Sequence, residues 1–280
     1  MLVFIVPLRS SQTSKSWELT SKLFERCIKS ICNQTSSQFR VIVVCHELPN
    51  TKFHHPYVTY LQVDFPVPTW KNDADIYSKE TDRSLKVWQG LNHSQIYHPS
   101  HIMLVDADDL VSNNLADLIA ESPQCNGWYV DKGYEYREGS KNIYCIKTKF
   151  HEKCGTCNII RYDLLDSYKN LQMGDVKGFQ FLHHQSVRDT MIENGTSLER
   201  LPFEGAIYVI NHGENMWLPA ANFTMLKELR FKDLFLFQMR RFIKTIISKP
   251  VTERIRQKFG LYTLITDSTN QSNRDESVNR

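Results

Sequence analysis

Three carboxylates, Asp106, Asp108 and Asp109, follow directly on the apolar run His101–Val105 (HIMLV). A buried strand that ends in clustered acids presents them at the carboxyl edge of a sheet, where open α/β folds bind ligands. Adjacent negative charges repel, and a divalent cation among them relieves the repulsion. Hard cations such as Mn²⁺ or Mg²⁺ take carboxylate oxygens together with the phosphate oxygens of a nucleotide. The alternative is structural: Asp109 or Ser112 caps a helix beginning at Asn113, and the other acids are solvated. A diphosphate carries more charge than one cation offsets, so basic side chains are expected on the same cleft. Lys79, Arg83 and Lys86, spaced by four and three, share one face of a helix read over Ser78–Gly90. Arg83 and Lys86 are the favoured phosphate cations, against the alternative of a solvated helix face. Cys154 and Cys157 form a CxxC, but no second pair or His motif stands at matching distance, so zinc is not expected.

These residues need a scaffold. Leu2–Pro7 is a continuous β-prone run, followed by a polar loop and then by Leu19, Leu23, Cys27, Ile28 and Ile31 at helical spacing. Phe39–Cys45 is a second fully apolar strand, and Tyr57–Val63 alternates as a third. Apolar strands separated by a helix predict a parallel sheet covered on both faces. Beyond Asp109, Asn113–Ala120 reads as helix, and Trp128–Arg137 and Ile143–Lys149 as antiparallel strands. A helix over His183–Asn194 and a strand at Ala206–Ile210 follow. The class is α/β, a Rossmann-like mixed sheet flanked by helices over residues 1–220. Residues 221–262 form a basic amphipathic helical extension, with Leu226–Phe259 read as one long helical stretch. Residues 263–280, polar and without periodicity, are expected to be a disordered tail.

The order of a strand ending in Pro7 and Arg9, the helix LFERCIKSICNQ, the strand FRVIVVCHE, a Lys/Arg helix and HIMLVDADDLVS resembles glycosyltransferase family 2 and its relatives of the GT-A fold, the nucleotide-diphospho-sugar transferases. The resemblance covers residues 1 to about 220. It implies a metal held by Asp106 and Asp108, with Ala107 between them and Asp109 nearby, bridging the donor's diphosphate. It also implies that Pro7, Leu8 and Arg9, with Glu47 after the second strand, border the base and ribose. The segment CHELP departs from the Asp-rich turn usual at that strand end. Gly155, Thr156 and Asn158 would shape the donor or acceptor pocket.

The segment VINHGEN resembles an HGxN element that closes many domains of this family. His212 within it would either complete an oxygen-rich metal site or donate to a phosphate oxygen. Where the family places a Glu-Asp pair at a helix start, this chain has Phe181–Arg188 with His183 and His184. A histidine can take the acceptor proton, so the resemblance implies His184 as the base, with His183 and Asp175 as reserves. Trp128, Tyr129, Tyr134, Tyr136 and Trp217 are available as sugar platforms.

The resemblance thus implies a metal-dependent hexosyltransferase that moves a sugar from a nucleotide-diphosphate donor, UDP-sugar favoured, to a glycan or lipid-linked acceptor with inversion. A non-catalytic carbohydrate-binding or scaffold protein is one alternative. A nucleotidyltransferase is another, disfavoured because PLRSSQTSKS lacks the Gly-rich loop expected after its first strand. A net charge of +3 gives no reason to expect a nucleic-acid partner. The opening MLVFIVPL is too short to span a bilayer, and the seven cysteines are scattered. Reduced thiols and a cytoplasmic location are therefore expected. Residues 227–258 carry a local net charge of +7 interleaved with apolar residues. The stretch 226–259 is either an interfacial helix on anionic membrane or a helix that packs on the domain or forms a homodimer contact.

Overall fold

The protein is described by a computed structural model over residues 1–67, 76–176, 182–215, 239 and 243–264. Two apolar runs, β1 (Leu2–Pro7) and β2 (Phe39–Cys45), form the centre, and β3 (Val58–Gln62) lies at the sheet edge beside β2. With β4 (His101–Leu104) they lie parallel, β1 pairing β2 from Leu2↔Phe39 and β4 from Leu2↔His101. Side chains alternate across a strand, and β1 uses both directions. Leu2, Phe4 and Val6 pack with Phe24, Cys27, Ile28 and Ile31 of α1 (Trp17–Cys32). Val3 and Ile5 pack with Val87 and Leu91 of α2 (Ile76–His93). Burial of each such side chain contributes about 1.5–3 kcal/mol, which makes this layer the mechanical base of the domain.

Downstream come β5 (Leu110–Val111), α3 (Leu115–Glu121), β6 (Gly127–Tyr129), β7 (Gly133–Arg137), β8 (Asn142–Ile146) and β9 (Asn158–Arg161). They are followed by α4 (Asp166–Lys169), α5 (His184–Glu193), β10 (Glu199–Arg200) and β11 (Ala206–Ile210). Last are β12 (Lys249–Pro250) and α6 (Glu253–Phe259). One mixed sheet of seven strands runs β10-β6-β9-β4-β1-β2-β3, and a second of five runs β12-β8-β7-β11-β5. The run expected as one strand over Trp128–Arg137 is two strands, β6 in the first sheet and β7 in the second. The chain crosses between sheets at Asp131, whose carboxylate accepts the Lys149 N–H at 2.7 Å.

The helix expected to continue over 226–259 is interrupted. Residues 243–247 are helical, but Lys249–Pro250 pairs antiparallel with β8 and α6 starts afresh, its Thr252 side chain accepting the Ile255 N–H. Pro250 has no N–H to donate and its ring collides with a helical carbonyl four residues earlier, so a helix cannot run through it. Phe259 and Leu261 are buried against Leu110, Tyr136, Ile143, Ile207 and Val209, so this segment shares the core of the second sheet. Residues 216–238, 240–242 and 265–280, with part of the basic stretch and the polar tail, lie outside the described residues.

A buried ion pair bolts this segment to α1. Arg26 and Glu138 have fully buried side chains with Nη2 2.8 Å from Oε2. Arg26 Nη1 donates to the Tyr262 carbonyl at 2.7 Å, and Glu138 Oε1 accepts the Leu264 N–H at 2.8 Å. Removing one partner strands the other charge in the interior, a loss of about 3–5 kcal/mol. Arg26→Ala is therefore expected to lower the urea midpoint by an amount corresponding to that loss. A midpoint within about 0.5 kcal/mol of the parent would show that solvent reaches the pair.

Candidate active site

A cleft of about 190 Å³ opens at the carboxyl ends of β1 and β4, walled by α2, by the loop Cys154–Cys157 and by the turn after β11. Its floor is organised by Asp109. This carboxylate is 1% exposed and accepts from Thr156 Oγ1 at 2.7 Å, Cys154 Sγ at 3.1 Å and the Val209 N–H at 3.1 Å. Burial, reinforced by the charges of Asp108 and Asp106, raises its carboxyl well above the usual range. Asp109 therefore joins three segments instead of capping α3. Both cysteines of the CxxC are free thiols, and the Sγ of Cys154 is occupied with Asp109.

Asp106 and Asp108 face the cleft, with side chains 32% and 29% exposed. Arg83 Nε stands 3.2 Å from Asp106 Oδ1, and the Asp106 N–H donates to Thr156 Oγ1 at 3.0 Å. Gly155 is required here, because a Cβ would collide with the Asp106 carboxylate. Asp108 Oδ2 lies 2.9 Å from Nε2 of His212, whose side chain is fully buried. Burial alone would raise the Asp108 carboxyl, but the His212 contact and the charges of His212 and Arg9 hold it below its ordinary value.

His212 is aimed by its turn. Asn211 and Gly213 adopt φ of 66° and 91°, and Asn215 Nδ2 closes the turn on the Val209 carbonyl at 3.0 Å. Nδ1 accepts the Glu214 N–H at 3.3 Å, so a neutral ring carries its proton on Nε2, the atom facing Asp108. Nε2 is buried beside Asp108 and makes no aligned hydrogen bond there. Among the described residues no three His, Cys, Asp or Glu side chains converge as a ready-made metal cage.

The other expected residues separate into those at the cleft and those elsewhere. Pro7, Leu8, Arg9, Arg83, Lys86, Ala107, Gly155, His183 and His184 line it. Lys86 is 1% exposed and donates to the Leu8 carbonyl at 2.8 Å and to Asp82 Oδ2 at 2.7 Å. It fixes the end of β1, and its charge is already matched by Asp82, which corrects its reading as a phosphate cation. Glu47 does not reach the cleft: its carboxylate accepts from Ser10 Oγ at 2.9 Å and from the Ser11 N–H. Asp175 is also displaced, exposed on a short turn where it accepts the Gln172 N–H at 3.2 Å. Trp128 and Tyr136 are core, at 3% and 1% exposure. Phe181 and Trp217 lie outside the described residues.

His183 and His184 stand together at the start of α5, ring centres 4.5 Å apart. Asn158 Nδ2 donates to the His184 carbonyl at 3.2 Å, tying the pair to β9. Burial, and then the charges of His183, Arg83 and His151, push the His184 imidazole down to about 4. Burial and Arg83 lower His183 as well.

Glu80, Asp82, Lys153, Tyr208 and Glu214 line the cleft without a role expected from the sequence, and Asn215, which ends the HGxN element, lines it as well. Glu80 was detectable, standing one turn from Arg83 on the same face of α2. Glu214 gave no such signal. It takes the Arg9 guanidinium at 3.0 Å and caps the entry to α1 through the N–H groups of Lys15 at 3.1 Å and Ser16 at 2.7 Å.

No protein-family model matches the sequence, and no curated protein does. Among solved structures the chain is similar to residues 1–349 of TarS from S. aureus, at 13% identity and a TM-score of 0.45, covering 74% of this chain and 60% of that one. The same protein in complex with UDP gives 12% identity and a TM-score of 0.43, with 75% and 60% covered. A nucleotidyl transferase from Methanothermobacter thermautotroptrophicus gives 14% identity and a TM-score of 0.37, with 72% and 88% covered. The chain thus spans about 60% of the length of these TarS structures.

Proposed function

We propose that the protein transfers a sugar from a nucleotide-diphosphate donor, UDP-sugar favoured, to the hydroxyl of a glycan or lipid-linked acceptor, with inversion and with Mn²⁺ or Mg²⁺. The observation that carries this reading is one cleft that holds two partly exposed carboxylates, Asp106 and Asp108, beside the Arg83 guanidinium at the ends of parallel strands. The carboxylates fit a hard cation, which they would hold together with donor phosphate oxygens, and a bound cation supplies charge for the departing diphosphate.

The chain's own groups supply the rest. Arg83, paired with Asp106, is placed to turn to a phosphate oxygen when the carboxylate is otherwise engaged. His212, with Nε2 2.9 Å from Asp108 Oδ2, backs the Asp108 carboxylate. Arg9, fixed by Glu214, and the backbone of Pro7 and Leu8 border the nucleoside end. His184 takes the acceptor proton, with His183 beside it. The loop after β1 is clamped by Glu47 and Glu214 and holds no glycine, which supports glycosyl over nucleotidyl transfer.

Asp106→Ala and Asp108→Ala are expected to abolish the Mn²⁺-dependent thermal shift produced by UDP-sugars while leaving the far-UV circular dichroism unchanged. An unaltered Mn²⁺-dependent shift in either variant would remove the cation from these residues.

The pH dependence follows from the imidazole. Only neutral His184 accepts a proton, and a group lowered to about 4 is neutral at every pH above that. Turnover is therefore expected to stay level down to about pH 5 and to fall on an acidic limb near 4, well below the ordinary histidine value of about 6.5. His184→Ala is expected to lower turnover by roughly 10²–10⁴ with donor affinity nearly unchanged. An acidic limb at 6 to 7, or near-parent turnover in the variant, would place the base elsewhere.

A further inference from the structure

Residues 239 and 243–250 build a surface that the cleft chemistry does not use. The helical turn 243–247 is held to the domain by its polar side. Lys244 Nζ meets Glu135 Oε2 at 2.5 Å, lies 5.3 Å from the centre of the Tyr144 ring, and is followed by the β12–β8 pairing. The apolar side faces away. Ile243, Ile246 and Ile247 are 48%, 64% and 52% exposed, and their spacing of three and four puts them on one face of this turn. A helix that packs on a core shows the reverse arrangement. Basic groups lie on the same side: Lys147, Lys249 and Lys132 act on Cys145 of β8 against the opposing charge of Glu204, and Lys141, whose carbonyl accepts the Val251 N–H, and Arg254 are exposed. Lys244 also acts on the charge of Lys153, which lines the cleft, so the surface adjoins the cleft mouth.

We infer that this apolar face with its basic rim docks on an anionic phospholipid bilayer and brings the cleft mouth to the lipid surface. Anionic headgroups complement the rim while the isoleucines enter the headgroup boundary. A second copy of the chain would bring the same basic rim against itself, since a two-fold contact repeats one patch on both sides. Among the described residues no helix is long and apolar enough to cross a membrane, so the contact is peripheral. This inference stands on the exposed face and its charges, independently of the reaction assigned to the cleft.

Co-sedimentation of the full chain with vesicles tests it. The parent is expected to sediment with phosphatidylglycerol–phosphatidylcholine vesicles at roughly 0.1 M salt, to sediment little with phosphatidylcholine alone, and to be released at high salt. Ile246→Glu/Ile247→Glu is expected to weaken the binding about tenfold or more, with unchanged melting temperature and unchanged nucleotide-dependent thermal shift. Lys147→Glu/Lys249→Glu is expected to abolish the preference for anionic lipid. Absence of parent binding, or sedimentation of the isoleucine variant like the parent, overturns the inference. So does a parent dimer in light scattering that the isoleucine variant turns into a monomer without any vesicle binding, which would assign the face to a second copy.

Discussion

The cleft depends on one buried carboxylate. Asp109 collects a hydroxyl, a thiol and a backbone N–H from two segments remote in sequence, the Cys154–Cys157 loop and β11, and holds them against the end of β4. Each donor is buried or nearly so, and a donor left without its acceptor costs about 1–3 kcal/mol. Through Thr156 the same network reaches the backbone of Asp106, and through β11 it sets where the His212 turn begins. Asp106 and Asp108 can stay partly exposed and chemically available because their neighbour is wholly committed to structure. Three consecutive-looking acids thus divide into two roles by environment alone.

Around that point the chain spends other charges on rigidity. Lys86, Glu47 and Glu214 each grip the backbone near the end of β1, from below, from the side and from the far turn. The loop from Arg9 to Ser16 is consequently braced by polar contacts, where a phosphate-cradling loop would need glycines.

Much of this was legible in the sequence, because the signals were local. The apolar runs of β1, β2 and β4 exceed what a solvated strand tolerates, and the acids directly after β4 could only emerge at a sheet edge. Gly155 and Thr156 were visible as a turn beside the acids. What was hidden is the pairing of charges across the fold. Nothing about Lys86 in its helix tells a phosphate-facing cation from one matched by Asp82, which lies on its own helix but turns inward with it. Glu47 looked like a ribose contact by position, whereas its carboxylate is consumed by Ser10 and Ser11. The split of Trp128–Arg137 between two sheets was hidden because it rests on the tertiary contacts of Asp131, whose carboxylate takes the Lys149 N–H from a distant segment. Pro250, by contrast, was a readable stop signal, outweighed by the strong apolar and basic pattern on either side of it.

The Arg26–Glu138 pair has a consequence for biosynthesis. Arg26 belongs to α1, yet its carbonyl partner is Tyr262, 236 residues later. Glu138 likewise waits for Leu264, 126 residues later. Loop closure over such separations is slow to be repaid. While the chain is still being extended, α1 carries a guanidinium that the unfinished second sheet cannot fully satisfy. The first sheet can therefore assemble early, but its locking to the second waits until Tyr262 and Leu264 are available to Arg26 and Glu138.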